Sequence, residues 1–86
     1  MTGNWKVTSN RINDELMYAV YRLKDVSVLD HSGNREYATG YIGKRHIAYV
    51  VSVELNTGVK IKKDLTDDEV RQVGELVANY RKEQRP

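Results

Sequence analysis

The chain has 86 residues, no cysteine and a formal net charge of +2, which results from 14 basic and 12 acidic side chains. Its length predicts a single domain over residues 1–86. The lack of cysteine excludes disulfides, thiolate metal sites and a cysteine nucleophile, and the weak positive charge is below that of most dedicated nucleic-acid-binding proteins.

An N-terminal β-hairpin is predicted from two runs of strand-forming residues, 5–12 and 16–23, joined through Asn13-Asp14. Both turn residues tolerate the positive φ that a two-residue type I′ turn requires. Counting outward from this turn places Val7 opposite Val20, and Trp5 opposite Arg22, whose guanidinium would cover the indole. One face, the expected core, carries Trp5, Val7, Leu16, Tyr18 and Val20. The other, expected to be solvated, carries Lys6, Thr8, Asn10, Met17, Ala19 and Tyr21.

An irregular stretch and then a third strand are predicted between residues 24 and 43. The residues of 31–34, His-Ser-Gly-Asn, are typical of a turn. The apolar residues before it, Val26, Val28 and Leu29, could extend the second strand past a bulge. The third strand is expected over residues 36–42, and one of its sides carries Tyr37, Thr39 and Tyr41.

Residues 44–56 fit two structures. Alternating apolar residues and a high content of β-branched side chains favour a strand. However, Ile47, Ala48, Val51 and Leu55 also share one helical face, and the Asn-Thr-Gly of 56–58 is typical of a helix end. Periodicity alone cannot decide between these for a short apolar run. Residues 59–62 are expected to be a short strand or an extended connector.

A C-terminal amphipathic helix is predicted from a capping box formed by Thr66 and Glu69. Acidic residues 67–69 suit the positive end of the helix dipole, and Arg81, Lys82 and Arg85 suit the negative end. The apolar stripe consists of Val70, Val73, Val77 and Tyr80, with Leu76 beside it. Gly74 lies on this stripe, so we expect the backbone of a neighbouring element to approach the helix there.

Together these elements predict an α+β fold. It consists of a three-stranded antiparallel meander, a fourth element for which a helix is favoured over a strand, and a C-terminal helix packed on the sheet. Neither a signal peptide nor a membrane span is visible in the sequence. Since small secreted domains usually depend on disulfides, we expect a cytoplasmic protein with no membrane partner.

No combination of residues in the sequence supports catalysis. Asp30-His31-Ser32 contains the residue types of a nucleophilic triad, but contiguous residues do not converge as a triad requires. The two histidines, His31 and His46, have no ligand-spaced partners for a metal. A phosphate-binding glycine loop is also lacking. We therefore expect no enzymatic activity, no cofactor and no metal site.

Three segments carry a resemblance to known proteins: WKVTSN (5–10), MYAVYRL (17–23) and DHSGNREY (30–37). They resemble a group of small uncharacterised proteins carried by prophages and integrative elements of Gram-positive bacteria. The resemblance covers the chain to Tyr41 and continues weakly through Ala48, Val51, Leu55 and Asn56, which look helical in that group. It implies a mobile-element setting and no reaction. Such elements encode many compact proteins that regulate their own genes or block host defences, as anti-CRISPR proteins do.

Two binding functions follow from the solvated sheet face and the basic segments. We favour a protein partner, because tyrosine, methionine and arginine are enriched in protein interfaces. The alternative is a nucleic-acid-binding accessory or regulatory protein, which would stack bases on exposed tyrosines and contact phosphates through basic side chains. The chain is expected to be a monomer or a homodimer. The candidate binding residues are Lys6, Met17, Tyr21, Tyr37, Tyr41, Lys44, Arg45, Lys60, Lys62 and Lys63.

Overall fold

A computed structural model describes residues 1–84 of the chain. Its elements are β1 (Lys6–Ile12), β2 (Glu15–Leu23), β3 (Arg35–Tyr37), α1 (Arg45–Thr57) and α2 (Asp67–Glu83). The strands form one antiparallel sheet in the order β1-β2-β3, and the helices pack on one face of it. The predicted α+β fold is confirmed.

The β1–β2 hairpin has the predicted turn and register. Asn13 and Asp14 have φ values of 51° and 64°, as a type I′ turn requires. Val7 pairs with Val20, as counted from the turn. The Cζ of Arg22 lies 4.4 Å from the centre of the Trp5 ring, which confirms the predicted cation–π contact.

The third strand is shorter than predicted, because the chain bends away from β2 after Tyr37. Thr39 takes over the backbone pairing at the bend: its Oγ1 accepts a hydrogen bond from the Val20 N–H (3.1 Å) and donates one to the Gly40 carbonyl (2.8 Å). The Ala38 N–H still donates to the Val20 carbonyl (2.8 Å), and beyond the bend Ile42 exchanges two backbone hydrogen bonds with Tyr18. The expected strand over residues 36–42 is therefore wrong in its second half.

Residues 45–57 form a helix, so the favoured alternative for the fourth element is confirmed. Gly58 ends α1 in the left-handed conformation, with φ 76°. This helix contacts β1, β2 and α2, and it buries Ile47, Ala48, Val50, Val51, Ser52 and Glu54. A helix that packs on more than one side has a wide apolar surface. The apolar residues of α1 are therefore numerous enough to fit the alternating pattern of a strand as well.

Helix α2 begins with the predicted capping box. The Glu69 N–H donates to Thr66 Oγ1 (3.1 Å), and the Thr66 N–H donates to Glu69 Oε1 (3.0 Å). Val73, Val77 and Tyr80 from the predicted stripe are buried against α1 and the sheet. The basic residues of the last turn are Arg81 and Lys82, whereas Arg85 lies outside the described residues.

The expectation that another backbone approaches Gly74 is wrong. Gly74 is exposed on α2. Apart from its chain neighbours and the backbone of its own helical turns, no heavy atom lies within 4 Å of where a Cβ would be. Because glycine costs about 1 kcal/mol relative to alanine inside a helix, Gly74→Ala should raise the free energy of unfolding by up to that amount. Urea denaturation followed by circular dichroism measures the change. As a matched control, Gly58→Ala should destabilise, since Gly58 has positive φ; a destabilised Gly74→Ala would contradict the prediction.

A buried polar network joins the N-terminus, the sheet and α2. The rings of Trp5 and Tyr80 meet edge to face with centroids 5.0 Å apart. The Tyr80 hydroxyl donates to Glu36 (2.6 Å), whose other carboxylate oxygen accepts from Arg22 (3.0 Å). Burial and this hydrogen bond raise the pKa of Tyr80 to about 12. Burial alone would raise the pKa of Glu36, yet the hydrogen bonds from Tyr80 and Arg22 lower it below its usual value.

Candidate functional site

The sheet face opposite the helices carries a row of tyrosines. Tyr21 and Tyr37 pair across β2 and β3 with ring centroids 6.0 Å apart, and the centroids of Tyr37 and Tyr41 are 6.3 Å apart. Tyr37 is 42% exposed and Tyr41 is partly exposed. We call this surface the tyrosine face, and its residues are Lys6, Met17, Tyr21, Arg35, Tyr37 and Tyr41. The structure thus brings together five of the residues predicted for a binding site.

Tyr21 is buried, although the sequence placed it on a solvated face. Only 7% of it is exposed, because the guanidinium of Arg35 lies over its ring, 4.2 Å from the centroid. Its hydroxyl donates to Asp30 (3.2 Å). Burial and this hydrogen bond raise the pKa of Tyr21 above its usual value. The expectation that Tyr21 presents its ring to a partner is therefore wrong, and Tyr37 and Tyr41 are the accessible members of the row.

Arg35 organises the centre of the tyrosine face. Its Nε and Nη2 contact both carboxylate oxygens of Asp30, at 2.6 and 3.1 Å, and its Nη1 donates to the Tyr37 hydroxyl at 3.2 Å. The hydrogen bonds from Arg35 lower the pKa of Asp30 below its usual value. Because such a bidentate pair fixes a planar guanidinium, Arg35 holds both tyrosine rings in place, and Asp30 neutralises its charge.

A loop that the sequence did not assign to the site borders the tyrosine face. Leu29 is 86% exposed and precedes Asp30, which binds Arg35. Val26 and Val28 in the same loop are about half exposed. The possibility that these three residues extend β2 past a bulge is not realised, because they lie in an irregular segment between β2 and β3. We call residues 25–30 the apolar loop.

Asn34 holds the apolar loop in one conformation. Its side chain is buried, and its Oδ1 accepts from the Asp25 N–H at 3.1 Å. Its Nδ2 donates to the carbonyls of Asp25, Val28 and Leu29 at 3.0, 3.2 and 3.3 Å. A side chain that binds the backbone at both ends of a loop restricts the loop as a turn of secondary structure would. Leu29 is therefore exposed on an ordered segment.

Apart from Lys6, the predicted basic residues do not join the tyrosine face. Lys44 lies 3.4 Å from Glu69 at the start of α2, on the helical side of the sheet. Lys60 and Lys62 line grooves beside α2 with Glu54. Arg45 is the first residue of α1 and lines the groove between α1 and β1. Lys63 is exposed on the connector between the helices. Together these residues form no continuous cationic surface with Tyr37 and Tyr41.

Glu69 pairs with two basic residues on the helical side of the sheet. Its Oε2 lies 2.5 Å from Nε2 of His46, besides its contact with Lys44. The hydrogen bonds from the Thr66 backbone and from His46 lower the pKa of Glu69 to about 2. The carboxylate therefore stays charged at neutral pH and pairs with the basic residues at the start of α1, which tie α1 to α2.

The triad-like residues 30–32 are engaged separately. Asp30 binds Arg35 and Tyr21, as described above, and the Nδ1 of His31 accepts from the Gly33 N–H at 3.2 Å. His31 thereby caps a single 3-10 turn, Ser32–Asn34. Within the described part of the chain, no three histidine or acidic side chains gather as metal ligands. The segment thus has a structural explanation as a turn.

Comparison of the chain with protein-family models, with curated proteins and with solved structures found no match. The interpretation of the site therefore depends on its own geometry. Within residues 1–84, no helix is both long enough and apolar enough to cross a membrane.

Proposed function

We propose that this chain is a non-catalytic interaction module that binds a protein partner through the tyrosine face and the apolar loop. The observation that carries the proposal is the exposure of Leu29 on a loop that Asn34 clamps, where the next residue, Asp30, pairs with Arg35 of the tyrosine face. An isolated exposed leucine needs no explanation. Here the exposed leucine is held on an ordered loop, and that loop is joined to the accessible Tyr37 through Asp30 and Arg35.

Two physical arguments favour a protein over other partners. Aromatic, methionine and arginine side chains are enriched where protein interfaces bury most of their area, and the tyrosine face provides all three kinds. A loop that is already ordered loses little conformational entropy on binding. Asn34 supplies that order through its contacts at both ends of the apolar loop.

A nucleic-acid partner is the less favoured alternative. Base stacking could use Tyr37 and Tyr41, but the charge of Arg35 is neutralised by Asp30. Among the lysines predicted to contact phosphates, Lys44 and Lys60 lie on the helical side, away from these rings, and Lys6 alone of the predicted basic residues lies on the tyrosine face. Phosphate contacts dominate the affinity of most nucleic-acid-binding proteins, so this arrangement favours a protein partner.

The setting that we propose for this function is the cytoplasm of a bacterium that carries a mobile element. The resemblance of the chain up to Tyr41 to small proteins of prophages and integrative elements supports it. Among the roles open to such proteins, inhibition of a host defence complex, as by anti-CRISPR proteins, fits a small module that acts by binding. The identity of the complex would follow from the captured partner.

Substitutions of Leu29 and Tyr37 test the proposal. Tagged chain is incubated with lysate of a Gram-positive bacterium, with and without nuclease, and retained proteins are identified by mass spectrometry. We expect a specific protein to survive nuclease treatment. Leu29→Ser and Tyr37→Ala should reduce its retention on the order of tenfold, as truncated interface hot spots do.

The matched control is Leu16→Ser, because Leu16 is another exposed leucine, 47% exposed, and lies at the turn end of the hairpin. Its retention of the partner should equal that of the unmodified chain. Loss of all bound material after nuclease treatment would instead support nucleic-acid binding. Equal retention by all variants would show that the tyrosine face is not the interface.

A further inference from the structure

Strand β1 is an edge of the sheet, and alternate residues direct their backbone groups outward. The backbones of Tyr18 and Val20 bond toward the third strand and its continuation. Because the pattern alternates along an antiparallel strand, the intervening residues of β2 bond to β1 at Lys6, Thr8 and Asn10. The N–H and C=O groups of Val7, Ser9 and Arg11 thus face outward, and within residues 1–84 no other backbone pairs with them.

The side chain of Asn56 binds the outward backbone groups of Trp5, just before this open segment. Its Oδ1 accepts from the Trp5 N–H at 2.7 Å, and its Nδ2 donates to the Trp5 carbonyl at 3.0 Å. The side-chain amide thus makes both hydrogen bonds that a paired strand would make. Proteins usually protect their sheet edges, and here the protection stops at Trp5. The edge from Val7 to Arg11 remains open.

A groove of about 900 Å3 lies between the start of β1 and α1, and Val7 is the residue of the open edge that lines it. Tyr49, which is 58% exposed, and Val53 contribute apolar surface to it. The residues that line it are Trp5, Lys6, Val7, Arg45, His46, Tyr49, Ser52, Val53 and Asn56, and none of them is acidic. Arg45 makes no ion pair in the described part of the chain, so the groove carries an unpaired positive charge at Arg45.

We propose that an extended segment of another protein, bearing acidic side chains, adds to β1 as a further strand and fills this groove. Backbone hydrogen bonds to Val7, Ser9 and Arg11 would give affinity that does not depend on sequence, and side chains on one face of the added strand would enter the groove. Arg45 then selects an acidic residue. A second copy of the chain fits less well, because β1 carries Lys6 and Arg11 and no acidic residue, so like charges would meet.

This surface is separate from the apolar loop, Tyr37 and Tyr41, so its test is independent of the proposed function. Lys6 borders both surfaces, since it pairs with Tyr21 and also lines the groove. Arg45 borders the groove alone and is therefore the residue to change.

The test uses fluorescent peptides that alternate glutamate with threonine, compared with lysine–threonine peptides, in a fluorescence anisotropy titration of the complete chain. We expect the acidic peptide to bind and the basic one not to bind. N-methylation of alternate amides, which removes the donors to β1, should weaken binding on the order of tenfold or more, as should Arg45→Glu. Arg71→Glu, on the exposed side of α2, is the charge-matched control and should weaken binding less.

A second variant tests the edge itself. Ser9→Pro removes an outward N–H, and proline is tolerated at an edge strand where its missing donor faces solvent. It should abolish binding of the acidic peptide while circular dichroism shows an unchanged fold. Failure of the acidic peptide to bind at millimolar concentration would overturn the proposal. So would affinity indifferent to N-methylation, or sedimentation showing a dimer that Ser9→Pro disrupts.

Discussion

Replacement of Trp5 by alanine is expected to lower the free energy of unfolding by about 3–5 kcal/mol, the usual cost of truncating a buried tryptophan. Trp5 packs edge to face on Tyr80 and lies under Arg22. Its backbone N–H donates to Asn56 Oδ1, and its carbonyl accepts from Asn56 Nδ2. A core of this size rarely supplies more than about 3–5 kcal/mol, so Trp5→Ala should leave most of the chain unfolded.

Urea denaturation followed by far-ultraviolet circular dichroism measures this loss. Tryptophan fluorescence cannot follow it, because the substitution removes the only tryptophan of the chain. Trp5→Phe is the matched control. It keeps an aromatic ring against Tyr80 and should recover a large part of the stability. A Trp5→Ala variant within about 1 kcal/mol of the unmodified chain, the size of an average substitution, would contradict the description of the core.

Asn34→Ala is expected to release the apolar loop and to cost about 1–3 kcal/mol, since it leaves partly buried backbone groups without partners. The side chain satisfies groups of Asp25, Val28 and Leu29. Exchange of backbone amide hydrogens over residues 24–30, measured by NMR, should accelerate in this variant. Capture of the partner should fall with it, although Leu29 itself is unchanged.

Asn34→Asp separates the two halves of the clamp. It retains an oxygen that can accept from the Asp25 N–H but loses the Nδ2 donor to the carbonyls of Val28 and Leu29. We expect intermediate exchange at the Asp25 end and fast exchange near Leu29. Unchanged exchange in Asn34→Ala would show that the apolar loop is ordered by other contacts, and the argument from preorganisation would fail.

The local elements of the fold were predictable from the sequence because short-range chemistry determines them. Asn13-Asp14 fixes the turn and, with it, the pairing of Val7 with Val20. Thr66 and Glu69 fix the start of α2 through hydrogen bonds three residues apart. Gly58 provides the end of α1. Each of these depends on residues that are neighbours in sequence.

The site was predictable only in part, because its geometry depends on contacts between distant segments. Alternation along β2 correctly placed Tyr21 and Met17 on one face, but Tyr21 is buried by Arg35, which lies beyond an intervening loop. The bend at Thr39 arises from a hydroxyl that replaces a backbone partner in β2. No periodicity encodes either feature.

The apolar loop was missed because its signal is indirect. Val26, Val28 and Leu29 were interpreted as strand residues, since apolar residues in an irregular segment suggested pairing. Their position between two aspartates and before an Asn-containing turn was the available clue. Only the structure shows that Asn34 binds the backbone at both ends and leaves Leu29 exposed.

Photo-cross-linking from position 29 tests the central claim most directly. A benzophenone amino acid is introduced in place of Leu29, and in a second preparation in place of Leu16, and each chain is irradiated in bacterial lysate treated with nuclease. We predict one specific cross-linked protein from position 29 and none from position 16. Cross-links from position 16 alone, or none from position 29, would contradict the claim that the apolar loop and the tyrosine face bind a protein partner.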